Sequence, residues 1–228
     1  MTKVKICGLK DVAAVRSACD AGADLVGFVF SESRRQVTTF QARKLVQEVP
    51  PEIAKVGVFL DPSIEELTDI CRQVPLDLLQ IHGRIPQAPL PHPVIHGVNV
   101  GKMQLDLPVL AATDFLLLDA PMAEYGGGSG VAFDWQRFSA DNLPQKQLFI
   151  AGGLNLDNIQ SAITHFKPYG VDVSSGVETN GHKDPAKIRA FIQQAKIYKK
   201  PRGSSECINN RMKEDFTVTS ADNLSRKH

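Results

Sequence analysis

Three side chains in this sequence combine reactive chemistry with a telling position, each closing a short strand-like run. Cys7 follows Val4-Lys5-Ile6, His82 follows Leu78-Leu79-Gln80-Ile81, and Asp119 follows Phe115-Leu116-Leu117-Leu118. A thiol that ionises and a carboxylic acid that keeps its proton form a base and an acid, the pair needed to deprotonate one atom while protonating another. A carboxylate ending a buried strand must be hydrated, paired or put to use. Cys7 reads equally well as a small apolar residue packed at a strand end. His82 reads as a ligand's hydrogen-bond partner or as a satisfied loop residue. Arg35, in Ser33-Arg34-Arg35, offers a planar fork for a carboxylate or a solvated loop charge, and Arg34 reads as solvated. Asp172, within Val171–Ser174, reads first as a buried, paired structural acid.

Two glycine segments supply a different chemistry. Ala151-Gly152-Gly153-Leu154 and Ser174-Ser175-Gly176-Val177-Glu178 each follow a strand-like run. Glycine lets backbone approach a ligand closely, and free N–H groups at a helix start favour an anion. They read as tight turns or, through Gly152, Gly153, Ser175 and Gly176, as a phosphate site. A third segment, Gly126-Gly127-Gly128-Ser129-Gly130, reads as a mobile cover over a site or as a surface loop.

The elements that must hold these residues alternate along the chain. Strand-like runs fall at Val4–Cys7, Leu25–Phe30, Lys55–Phe59, Leu78–His82, Val94–Val100, Phe115–Asp119, Leu148–Ala151 and Val171–Ser174. Most are apolar throughout, as strands covered on both faces are. Helical patterns at Asp11–Ala21, Thr39–Val49, Ser63–Gln73, Asp157–Thr164 and Asp184–Lys196 each open on an N-capping residue. Ile85–Pro93, with four prolines, is a loop. Eight parallel strands form either an open doubly wound sheet or a closed barrel. After the first strand the chain reads Cys7-Gly8-Leu9-Lys10-Asp11 rather than G-x-G-x-x-G, which speaks against the open nucleotide-binding sheet. The expected fold is α/β, a single (β/α)8 TIM barrel over 1–198. In that architecture ligands sit at the C-terminal strand ends, with a frequent phosphate site after strands 7 and 8. Residues 199–228 are polar, without a sustained period, and are expected to form a poorly ordered tail.

Composition narrows the function classes. The chain has 228 residues, 43% hydrophobic and 22% charged, with a formal net charge of +1. The tail holds seven Lys/Arg against four Asp/Glu, leaving 19 basic and 21 acidic residues, a charge of −2, in 1–198. Such a body lacks the basic surface that a nucleic-acid backbone needs. No apolar run approaches the ~18 residues of a membrane span, and no signal segment is expected at the start. Cys7, Cys19, Cys71 and Cys207 contain no C-x-x-C pair, so a reduced, cytoplasmic protein is expected. No metal site is expected: only His92 and His96 stand four apart, and Pro91 and Pro93 flank the first.

Taken in order, the pieces Lys5-Ile6-Cys7-Gly8-Leu9, Gly27-Phe28-Val29-Phe30 with Ser33-Arg34-Arg35, Leu79-Gln80-Ile81-His82-Gly83, Leu116-Leu117-Leu118-Asp119-Ala120, Gly126–Gly130 with Phe133-Asp134-Trp135, Ala151-Gly152-Gly153-Leu154 and Val171-Asp172-Val173-Ser174-Ser175-Gly176-Val177-Glu178 resemble the phosphoribosylanthranilate isomerases of tryptophan biosynthesis. The resemblance runs over about residues 3–195, and Arg34 stands where many members have Pro. It implies a cofactor-free Amadori rearrangement of N-(5′-phosphoribosyl)anthranilate to 1-(2-carboxyphenylamino)-1-deoxyribulose 5-phosphate. It further implies that Asp119 is the general acid and Cys7 the general base. Arg35 would bind the anthranilate carboxylate, and Gly152-Gly153 and Ser175-Gly176 the phosphate, with His82 and Asp172 in support. The partner implied is a phosphorylated small molecule, with no nucleic acid or membrane, and the protein would be a monomer or homodimer. The histidine-pathway aminoaldose isomerase is the near alternative, but it carries a carboxylate where this chain has Cys7. A non-catalytic phosphate-binding barrel is the other.

Free Asp and Cys titrate at about 3.9 and 8.5, so both would begin mostly in the wrong form at neutral pH. Burial would raise the acid, and a positive neighbour or a helix N-terminus would lower the thiol. Lys5, two residues before Cys7 on the same strand face, is a candidate for that neighbour or a partner for Asp172.

Overall fold

The computed structural model describes residues 1–99, 113–119 and 147–197. Gly126–Gly130, Phe133-Asp134-Trp135, Cys207 and the tail 199–228 lie outside the described residues. Eight parallel strands close into a barrel: β1 (Lys3–Cys7), β2 (Leu25–Val29), β3 (Ala54–Leu60), β4 (Leu78–His82), β5 (Val94–Asn99), β6 (Phe115–Asp119), β7 (Gln147–Ala151) and β8 (Gly170–Val173). Each pairs with its neighbour in sequence, and β8 pairs with β1 to complete the ring. β4 and β6 keep the bounds expected from sequence; Ser174 falls one residue past β8.

The helices are α1 (Val12–Asp20), α2 (Thr39–Leu45), α3 (Ile64–Gln73), α4 (Ile159–Phe166) and α5 (Pro185–Ile197). Side-chain caps fix where most of them begin. Asp11 accepts from the Ala14 N–H, Ser63 from the Glu66 N–H, and Asp184 from the N–H groups of Ala186 and Lys187. Two starts differ from expectation. Thr38, not Thr39, caps α2 through a reciprocal box with Gln41. Asp157 does not cap α4, whose cap position is Asn158; that side chain instead accepts from the Asn155 N–H. Ile85–Pro93 is a loop, as its prolines required.

Alternation along each strand divides the core in two. One face packs outward on the helices, through Ile6, Phe28, Leu79, Leu118, Ile150 and Val171 among others. The other faces the barrel interior. Near the strand starts Phe115 and Phe149 meet edge-on, with centroids 6.0 Å apart. Gly170 makes room there, since a Cβ would strike the Phe149 ring. Higher up, the interior is polar: Lys5, Gln80 and Asp172 are all buried.

Candidate active site

Cys7, His82 and Asp119 are the last residues of β1, β4 and β6 and share the inward face with that polar layer. The β1–β8 register places Lys5 opposite Asp172. The Lys5 ammonium, fully buried, donates to Asp172 Oδ1 at 3.0 Å. A charge at that depth persists only when paired. Gly27 on β2 provides the space, because a Cβ there would lie 3.0 Å from both Cys7 Sγ and Lys5 Nζ. Lys5 thus pairs with Asp172, and its charge also acts on the neighbouring thiol.

Burial pushes the Cys7 thiol up, while the Lys5 charge pulls it down, Asp172 pushes it up and Lys183 pulls it down; burial prevails and the thiol titrates above its ordinary value. The expected lowering by a positive neighbour is thus present but outweighed, because Cys7 is only 7% exposed. Asp119 is raised by burial and by the charge of Asp172. In the resting site the thiol and the carboxyl both hold on to a proton more firmly than in water.

Replacing Lys5 by Met removes the charge that opposes burial and leaves Asp172 unpaired. The Cys7 thiol is expected to titrate higher still, and folding stability to fall by about 3 kcal/mol, as when one partner of a buried pair is lost. Thiolate absorbance against pH, with the other cysteines replaced by Ser, together with chemical denaturation, checks both. An unchanged thiol pKa would remove Lys5 as its tuner.

His82 sits over Gly97, where a Cβ would meet its ring, and its Nε2 lies 2.8 Å from the Gln80 amide nitrogen. Burial and the Lys5 charge push the imidazole down, against Asp172, so it takes up a proton less readily than a free histidine. The two glycine loops converge backbone to backbone. Gly152 and Gly153 have φ of +85° and +66°, open to glycine, and a Cβ on Gly176 would collide with the Leu154 carbonyl.

Arg35 lies across Gly8, whose φ of +76° turns the chain out of β1 and whose missing Cβ leaves space for the Arg35 stem. Its guanidinium is partly buried and tied to a carboxylate. Nε donates to Glu178 Oε1 at 2.7 Å and Nη2 to Oε2 at 3.0 Å. Arg34, expected to be solvated, is largely exposed yet also reaches Glu178 Oε2 at 3.1 Å. Lys183 completes the group, donating to Glu178 Oε1 at 2.9 Å and to the Ser174 carbonyl at 2.8 Å. Burial alone would raise the Glu178 carboxyl, but the hydrogen bonds and charges of Arg35 and Lys183 hold it down at about 2.

The sequence reading gave Glu178 no role and passed over Lys183 entirely. Lys183 arrives on a two-stranded ribbon, β9 (Glu178–Thr179) with β10 (His182–Lys183), joined by Asn180 and Gly181 at φ of 52° and 79°. Asn-Gly between strand-like residues is the strongest short hairpin signal, so the ribbon was legible in principle.

The N-(5′-phosphoribosyl)anthranilate (PRA) isomerase family model matches residues 4–194. The chain belongs to the phosphoribosylanthranilate isomerase family. This isomerase is 50% identical over 198 residues to the N-(5′-phosphoribosyl)anthranilate isomerase of Listeria welshimeri, covering 85% of this chain and 98% of that one. Among solved structures, a phosphoribosyl anthranilate isomerase in complex with reduced 1-(o-carboxyphenylamino)-1-deoxyribulose 5-phosphate is similar at 34% identity and a TM-score of 0.72, over 87% of this chain and all of that one. Monomers generated from the dimeric Thermotoga maritima isomerase match at 33% identity and a TM-score of 0.71, over 86% of this chain and 99% of that one. Among the described residues, no helix of the isomerase is long and apolar enough to cross a membrane.

Proposed function

We propose that this isomerase of tryptophan biosynthesis carries out the rearrangement of N-(5′-phosphoribosyl)anthranilate with Asp119 as general acid and Cys7 as general base. One observation carries the assignment. Cys7 and Asp119 end β1 and β6 on the inward face, both within the field of Asp172, and burial raises the thiol and the carboxyl alike above their ordinary values. The Asp119 carboxyl protonates the ribose ring oxygen as the C1′–O bond breaks and the anilinic nitrogen forms the Schiff base. The Cys7 thiolate, assisted by Lys5, then takes the C2′ proton, and the C2′–H electrons form the enolamine. Tautomerisation gives C1′ a proton as the 2′-hydroxyl loses one, while Cys7 returns its proton and Asp119 regains one. The balance needs no oxidant, reductant or cofactor.

Arg35 binds the anthranilate carboxylate, and the loops at Gly152-Gly153 and Ser175-Gly176 hold the phosphate against backbone N–H groups. His82 offers a hydrogen bond at the rim, and Asp172 fixes Lys5. The small-molecule ligand is phosphorylated, the barrel spans 1–198, and the protein works in the cytoplasm as a monomer or homodimer.

Mixing purified protein with freshly prepared phosphoribosylanthranilate and following loss of its fluorescence tests this reading. Rapid loss that depends on enzyme concentration is expected. No loss from a well-folded sample would overturn it and turn attention to the histidine-pathway aminoaldose.

A further inference from the structure

A guanidinium has two edges that can engage a carboxylate in parallel, one formed by Nε and Nη2 and the other by Nη1 and Nη2. In this structure Glu178 takes the first through two hydrogen bonds of 2.7 and 3.0 Å. Nη1 has no hydrogen bond among the described residues. The stem of Arg35 is confined by Gly8, immediately after Cys7. Glu178 is itself immobilised: its side chain is 6% exposed and takes hydrogen bonds from Arg34, Arg35 and Lys183. Lys183, 4% exposed, is anchored in turn on the Ser174 carbonyl, while the Ser174 hydroxyl donates to the Cys7 carbonyl at 3.1 Å. The anion therefore belongs to the framework of the catalytic strand, with three cations set around it.

We infer that Glu178 is a positioning residue for the substrate carboxylate, holding Arg35 by its Nε–Nη2 edge so that the Nη1–Nη2 edge stays open to the anthranilate, with Lys183 as the counter-charge that fixes Glu178. The inference rests on the reading that Arg35 binds this carboxylate. Without Glu178, Arg34, Arg35 and Lys183 repel one another and the fork loses its direction. A plug that substrate must displace is the opposite arrangement, and there removing Glu178 would tighten binding.

Steady-state kinetics of Glu178→Gln, Arg35→Met and the double variant decide it, each with N-(5′-phosphoribosyl)anthranilate and with N-(5′-phosphoribosyl)aniline, which lacks the carboxylate. Glu178→Gln is expected to raise KM for the carboxylated substrate about 10-fold, with kcat changed by less than about 3-fold, as for an interaction made equally before and in the transition state. For the aniline substrate, and in the Arg35→Met background, the added effect of Glu178→Gln should disappear. A lowered KM, an equal penalty on both substrates, or penalties that simply add to those of Arg35→Met would overturn the inference. Arg35→Met separates the two layers: if it fails to discriminate the substrates, the carboxylate reading itself is wrong. Should Glu178→Gln fail to fold, Glu178→Asp keeps the charge, shortens the reach and is expected to give a smaller KM rise confined to the carboxylated substrate. Equal losses on both substrates there would be equally fatal.

Discussion

Replacing Asp119 by Asn is expected to lower kcat by at least about 10³-fold, the upper range for loss of a positioned general acid, while leaving the protein as stable or slightly more so at neutral pH. The amide keeps the shape of the carboxyl but cannot give up a proton to the ribose ring oxygen. The stability half follows from the direction of the Asp119 shift. Burial and Asp172 raise its folded-state pKa, so the folded chain holds this proton more tightly than the unfolded chain does. The group favours folding at acid pH, and that advantage is lost as pH rises through the folded value. Above that value the ionised carboxylate and Asp172 repel each other, and Asn removes the repulsion. Fluorescence-monitored turnover and urea denaturation at neutral pH check the two halves. Turnover within about tenfold of the parent would remove Asp119 from the role of general acid, and a clear loss of stability would contradict the electrostatics.

Cys7→Ala is the second large expectation. Turnover should again fall by about 10³-fold or more, because alanine has no group that can take the C2′ proton. Folding should survive, since only one sulfur is removed at a strand end, a change worth about 1 kcal/mol. The parent enzyme offers a sharper form of the same test. Activity needs Asp119 protonated and Cys7 ionised, yet the thiol lies above its ordinary range and the carboxyl, although raised, is the stronger acid. The productive form is then a minority species. The pH profile of kcat/KM should climb until the Asp119 carboxyl ionises, run level, and fall only where the Cys7 thiol ionises. Lys5→Met should move the falling limb to higher pH and leave the rising limb nearly in place. A profile whose falling limb ignores both Cys7 and Lys5 would sink the thiol as base.

Much of this site is visible in a single sequence because its residues are tied to local signals. β4 and β6 end where strand-like runs meet His82 and Asp119, so their bounds and the inward direction of those side chains follow from periodicity. Asp11, Ser63 and Asp184 announce three helix starts by cap chemistry alone. Where two capping types stand side by side, as at Thr38 and Thr39 or Asp157 and Asn158, sequence spacing does not separate them, and backbone geometry decides. Register is further from reach. Nothing near Lys5 or Asp172 says that a strand pairing across the seam sets them opposite, so the ion pair entered as one of two alternatives. The net position of the Cys7 thiol was missed because it depends on how deeply a closed barrel buries it, and depth is a property of the whole fold. Glu178 escaped because its meaning comes from cations on the β2 rim and the ribbon, brought together only by closure.

The seam has a consequence for how this enzyme comes into being on the ribosome. Lys5 and Asp172 are 167 residues apart, so their bond joins one of the earliest segments to be synthesised with one of the last strands. Until β8 is made and docks, Lys5 has no partner and the interior lies open along one side. Such long-range pairing is slow to nucleate and exposes a sheet edge while it waits. The environment that tunes Cys7 is therefore among the last things to form, so a nascent or truncated chain without β8 holds a thiol but no organised base. In such a chain, turnover reports completion of the ring more directly than any measure of secondary structure.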